Sequence, residues 1–317
     1  MTLDKLLKIK YPIIQGGMAH IATAKFAASV SNCGALGVIG TGAMDAETAR
    51  KAIIECKSLT DKPFGVNIML MNPNCEAIVD IIIEHKVPVV TTGAGNPGIF
   101  MSKLKQANII VIPIVPTVAL AKRVERAGAD MVIVEGTEAG GHVGELTTMT
   151  IIPQVVDALD IPVIAAGGIG DGRGFNAAFA LGACGVQLGT ILLASSECPV
   201  HDNYKQALIK AKDSDTIVTG RSVSAPVRIL RNQMSNKYIQ LERNGATRDE
   251  LEHLTLGSLR RAVFDGDTIN GSLMMGQIAG MIKEIKPLSQ IFADLINESK
   301  AQQEILTKTL NEIYQNV

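Results

Sequence analysis

Eight short apolar runs constrain this chain more than any other feature. They lie at 12–15, 36–39, 64–69, 88–92, 109–114, 131–134, 162–166 and 185–188. They recur at intervals of roughly 20 to 30 residues and are rich in β-branched residues. Each is apolar throughout and does not alternate with polar residues. Strands read this way when both faces are buried, as in parallel sheets. Segments with helical spacing, such as 75–85 and 117–127, lie between them. Eight strand–helix units within about the first 200 residues predict an α/β fold, a (β/α)₈ TIM barrel. A doubly wound open sheet is the alternative, and the even spacing and the count of eight favour the barrel.

The texture changes after residue 200. Segment 201–267 is more polar and carries Arg228, Arg231, Lys237, Arg243 and Arg248. It reads as a smaller, mostly helical excursion over the barrel mouth. Segment 271–285, GSLMMGQIAGMIKEI, is apolar with small residues and is expected to return to the barrel as a helix. The tail 291–317 is amphipathic, with Ile291, Leu295, Ile305 and Leu310 as expected anchors. The expected organisation is a barrel at 1–200, a lid or substrate region at 201–270 and returning helices at 271–317.

Composition excludes several classes. Apolar residues make up 47% and charged residues 19%, enough core to argue against disorder. A net charge of −1 argues against a nucleic-acid binder. The five cysteines form no CxxC pair, so neither a disulfide framework nor a metal site is expected. A cytoplasmic location is expected, because no signal peptide is recognisable and no apolar run reaches membrane-spanning length.

The chemistry concentrates in the glycine-rich loops after the runs. Gly167 and Gly168 follow the seventh run, and Gly189 and Thr190 follow the eighth. The loops after strands seven and eight of such barrels commonly hold phosphate, and glycine permits close backbone approach. Either pair alone could merely make a tight turn; together they favour phosphate. Asp171 reads as the cap of the helix that follows. Asn67 and Gln187 are amides inside apolar strands and need partners, either structural or a flat heterocycle at the mouth. His142 stands in the loop 135–150, EGTEAGGHVGELTTMT, flanked by Gly140, Gly141 and Gly144. An imidazole there suits proton donation or charge stabilisation. A surface-loop histidine is the plainer reading. Glu135 and Glu138 are weaker candidates.

The motifs GGHVGELTTMT at 140–150, FGVNIML at 64–70, TTGAGNP at 91–97, IPVIAAGGI at 161–169 and MMGQIAG at 274–280 closely resemble the flavin-dependent enoyl-[acyl-carrier-protein] reductase II family. Its wider superfamily contains the nitronate monooxygenases. The resemblance implies an FMN barrel, reduced by NADH or NADPH, that reduces trans-2-enoyl thioesters in bacterial fatty-acid synthesis. Nitronate oxidation is the alternative activity. Carried over by position, Gly17, Met18 and Ala19 would line the isoalloxazine, and Asn67 and Gln187 would bond the flavin or its ribityl chain. Gly167, Gly168, Gly189 and Thr190 would hold the phosphate, and Met275 and Gln277 would also touch the cofactor. His142 matches the catalytic histidine. Acyl carrier protein is the implied partner, with Arg228, Arg231, Lys237 and Arg243 as candidate docking cations. The apolar C-terminal helices fit a homodimer.

Overall fold

The computed structural model describes residues 1–315. All eight runs form strands: β1 (Ile13–Gln15), β2 (Gly37–Gly40), β3 (Phe64–Met69), β4 (Val89–Gly93), β5 (Ile110–Val115) and β6 (Val132–Glu135). A two-residue strand, β7 (Gly141–His142), lies outside the barrel. The last two staves are β8 (Val163–Ala166) and β9 (Gly185–Leu188). The eight staves pair in parallel in the order β1-β9-β8-β6-β5-β4-β3-β2. A parallel bridge between Ile14 and Leu36 closes the ring. The molecule is therefore a (β/α)₈ barrel, as the spacing predicts.

Strand alternation divides the core in two. Inward residues such as Ile14, Val38, Val89, Ile112, Ile133 and Ile164 pack on one another inside the barrel. Their neighbours Ile13, Val66, Val90, Val111, Val132 and Val163 pack outward against the helices. Both faces are largely dry, which is why the strands are mostly apolar on both faces, the polar exceptions falling towards their carboxyl ends. Helix Ala24–Asn32 is typical of the outer layer. Thr23 caps it by accepting from the Phe26 N–H, and Phe26, Ala27 and Val30 are buried against the sheet. Each such large side chain contributes about 1.5–3 kcal/mol by leaving water.

The excursion separates β9 from the helix that completes the eighth unit. That helix, Leu288–Tyr314, packs on helix Gly172–Ala180. It buries Leu288, Ile291, Phe292 and Leu295. Ile305, expected as an anchor, is instead 59% exposed. At about 1.5 Å rise per residue the helix outruns its shorter partner. Residues 316 and 317 of the expected tail lie outside the described residues.

The excursion is helical at Asp202–Lys210, Gln233–Arg243 and Arg248–Thr255. It also carries two antiparallel strands, β10 (Thr216–Thr219) and β11 (Val227–Leu230). Segment 271–285 differs from the expected helix. It is extended around a 3₁₀ turn at Gln277–Met281. Its backbone donors are claimed elsewhere: Gly276 N–H by Thr190 Oγ1 (2.8 Å) and Gln277 N–H by the Glu138 carbonyl (2.9 Å). Glycines at 271, 276 and 280 weaken the helical alternative.

Candidate active site

The carboxyl ends of the staves surround a cavity of about 540 Å³. Alternation sets its floor. Asn67 lies between outward Val66 and Ile68, Gln187 between outward Val186 and Leu188, and Glu135 follows outward Val134. All three line the cavity. Asn67 Nδ2 donates to Thr91 Oγ1 (2.9 Å), so a structural partner exists for half of this amide. Gln187 is 7% exposed and its Oε1 has no partner, an orphaned acceptor on the cavity floor.

Gly17, Met18 and Ala19, from the loop after β1, line the same cavity. So do Gly167, Gly168, Gly189 and Thr190. Gly167 and Gly168 have φ of 91° and 73°, in the left-handed region that disfavours side chains. Lys and Arg are absent from the cavity lining. An anion there would rely on backbone N–H groups, as glycine loops provide. Asp171 accepts from the Gly174 N–H (3.0 Å) and caps the next helix, the role its position implies.

Met275 and Gln277 fall elsewhere. Met275 is fully buried in the core and Gln277 is exposed. Their neighbours Met274, Gly276 and Ile278 face the cavity instead. The irregular backbone before the 3₁₀ turn and the turn itself set which side chains face the cavity, where a continuous α-helix would have grouped them differently. Leu259 of the excursion also reaches the cavity. No sequence signal marks it, since its approach depends wholly on how the excursion folds back.

His142 is held by the excursion. Strand β7 pairs antiparallel with β11, matching His142 with Val227 and Gly141 with Arg228. The Val143 N–H also donates to the Pro226 carbonyl (3.2 Å). The ring lines the cavity and is open to solvent at the mouth, yet protein around it holds its pKa below the ordinary histidine value. At neutral pH the imidazole is therefore neutral, a hydrogen-bond donor with no net charge. Gly140 lets this loop meet the returning segment. A Cβ there would sit 2.6 Å from the Met275 carbonyl carbon.

The two glutamates separate clearly. Glu138 accepts from the Thr148 N–H at 3.0 Å through both oxygens, and from Thr148 Oγ1 at 3.0 Å. It ties the loop to the start of helix Thr148–Val156. Glu135 has no hydrogen-bond or ionic partner among the described residues, and burial pushes its carboxyl up to about 7.

Arg228 is not a docking cation. It is buried, and its Nε and Nη2 donate to the Thr137 carbonyl at 3.1 and 3.0 Å, with Nη1 donating to Thr216 Oγ1. It tethers the histidine loop to the excursion. Arg228→Met should therefore lower stability by about 1–3 kcal/mol, because a shielded carbonyl loses its donors. Urea denaturation measures this, and an unchanged midpoint would contradict the tether.

The family model described as nitronate monooxygenase matches residues 1–78 and 74–298. The chain belongs to the nitronate monooxygenase family. FabK from Thermotoga maritima has the same fold at a TM-score of 0.95 and 50% identity, covering 98% of this chain and 99% of that one. Nitroalkane oxidase from Streptomyces ansochromogenes matches at 0.84 and 28%, covering 96% and 99%. A relative from Rhodococcus jostii, named (3aS,4S,5R,7aS)-5-hydroxy-7a-methyl-1-oxo-octahydro-1H-indene-4-carboxyl-CoA dehydrogenase, is 38% identical over 78% of this chain and 69% of its own length. A probable nitronate monooxygenase from Staphylococcus aureus is 33% identical over 93% of this chain and 96% of its own. These relatives carry oxidation–reduction names, and the family is one of oxidoreductases.

Proposed function

We propose that the chain is an FMN-dependent enoyl-[acyl-carrier-protein] reductase using NADH or NADPH. The observation that carries this is the likeness to FabK, 50% identical along nearly the whole chain and well above nitroalkane oxidase at 28%. It supports the reductase branch to which the motifs point. The Rhodococcus relative, named for a CoA-linked carboxyl substrate, supports thioester chemistry.

The cavity fits FMN. Gln187 Oε1 is an acceptor awaiting a donor, the walls are largely apolar, and the glycine loops leave room for a phosphate. Gly167, Gly168, Gly189 and Thr190 would hold the phosphate. Asn67 and Gln187 would meet polar atoms of the heterocycle or its ribityl chain. When bound, FMN supplies a hydride for Cβ of the enoyl thioester, drawn from NAD(P)H. The chain's own part is placement and electrostatics. His142, fixed by β11 at the mouth, donates a hydrogen bond to the thioester oxygen as negative charge builds there. A proton drawn from solvent at the cavity mouth then adds to Cα, completing the saturated thioester.

Acyl carrier protein, in a bacterial cytoplasm, is the proposed substrate carrier. Arg231, Lys237 and Arg243 remain exposed for an acidic partner. The exposed apolar residues Ile305 and Ile313 of the last helix support a homodimer. Among the described residues no helix is long and apolar enough to cross a membrane.

One anaerobic experiment tests the activity. NADH or NADPH should bleach the bound flavin, and crotonyl thioester should restore its colour. Bleached protein that ignores crotonyl thioester, but turns over alkyl nitronate with oxygen, would replace this reading with the nitronate monooxygenase activity the family name supports.

A further inference from the structure

Glu135 is the one carboxyl of the cavity floor that the fold leaves unused. It ends β6 and pairs in register with Ala166, which pairs in turn with Gln187. All three positions follow the inward alternation of their strands, and all three residues line the cavity. The charged side chains that face this space are few. Glu138 lies in the loop after β6, engaged by Thr148, and His142 lies on β7. The lining supplied by β3, β5, β8 and β9 is uncharged at Asn67, Ile114, Ala166 and Gln187. Neither an arginine nor a lysine lines the cavity to balance a carboxylate there.

An isolated carboxylate in such surroundings is costly, and burial accordingly lifts its pKa to about 7. A neutral carboxylic acid differs in kind, since it offers one O–H donor. Asn67 Nδ2 is spent on Thr91, and the Gln187 side-chain amide makes no hydrogen bond to the protein. The isoalloxazine edge of FMN is mostly acceptors, with carbonyl oxygens and ring nitrogens around a single N–H. The Gln187 acceptor suits that N–H, and a carboxylic acid suits the acceptors beside it.

We propose that Glu135, in its protonated form, donates a hydrogen bond to the bound flavin heterocycle and thereby links flavin affinity to pH. This rests on the FMN reading above. The sign follows from linkage. A ligand that needs the proton raises the pKa of the group that carries it. Affinity is then full below the free carboxyl's pKa and falls as pH rises through it. His142 cannot produce this window, because burial moves it to the acid side.

Flavin affinity of the full-length protein, read from flavin fluorescence between pH 6 and 9, tests the proposal. Riboflavin is run beside FMN, because it has no phosphate to titrate. Wild type should bind riboflavin with constant affinity below about pH 7, weakening by up to about tenfold per unit above it, and FMN should show the same fall above pH 7. Glu135→Gln stays neutral and keeps an N–H donor, so it should hold the low-pH affinity across the range. Should that variant not fold, proton uptake by wild type at pH 8 gives the same answer. Riboflavin binding in weak buffer should take up a large fraction of one proton. Superimposable pH profiles for wild type and variant, or no proton uptake, would overturn the role of Glu135 alone. Absence of flavin binding at every pH would overturn the FMN reading together with it.

Discussion

Replacing His142 by alanine should leave FMN bound and remove most turnover, by about 10²–10⁴-fold. The backbone around residue 142 is held by β11 and by the Pro226 carbonyl, and neither contact uses the imidazole. The cavity should therefore survive, with an unshifted visible spectrum. NADH should still bleach the flavin in rapid mixing, while reoxidation by enoyl thioester slows. Because the ring is neutral at pH 7, wild-type turnover at saturating flavin should show no histidine-dependent loss between pH 7 and 8. An alanine variant that reoxidises at the wild-type rate would remove His142 from the chemistry.

Gly168→Asp should weaken FMN binding by about a hundredfold or more, equivalent to roughly 2.8 kcal/mol. Two effects act together. A side chain at φ of 73° strains the backbone by about 1–3 kcal/mol. The new carboxylate also occupies the space proposed for phosphate, beside Glu138 and with no basic residue in the lining to offset it. Riboflavin binding should suffer less, since only the phosphate meets the new charge. Equal losses for the two flavins would place the phosphate elsewhere, and an unchanged FMN affinity would reject the site outright.

Much of the barrel was legible because burial on two faces leaves a plain trace. A strand with no exposed edge or face has little room for a polar residue, so each stave reads as a mostly apolar run. The amides inside those runs were legible for the same reason. Asn67 and Gln187 are conspicuous beside apolar neighbours such as Val66, Ile68, Val186 and Leu188. Glu135 was harder to see. It sits at the last position of β6, where an acid looks like the start of a loop, and only the inward alternation of Met131 and Ile133 aims it at the cavity.

Met275 and Gln277 lie outside the cavity lining, because their segment does not form a helix and presents Met274, Gly276 and Ile278 instead. Its backbone donors bond to Thr190 and Glu138, residues distant in the chain, and those long-range partners override any local helical preference. Arg228 looked like a surface cation because arginine usually is one. Its burial follows from β11 lying against the histidine loop. Ile305 has the helical phase of an anchor, yet it is exposed where the helix runs on past its shorter partner.

Local rules were sufficient for the number of staves, their parallel sense and the glycine turns at their ends. Periodicity, burial and backbone sterics act within a few residues and are written in order along the chain. The working geometry was decided otherwise. His142 reaches the mouth through pairing with β11 some 85 residues later, and the unpartnered state of Glu135 exists only once the other staves have closed around it. Contacts between segments so far apart carry no local signature, because each half is an ordinary residue until the other arrives.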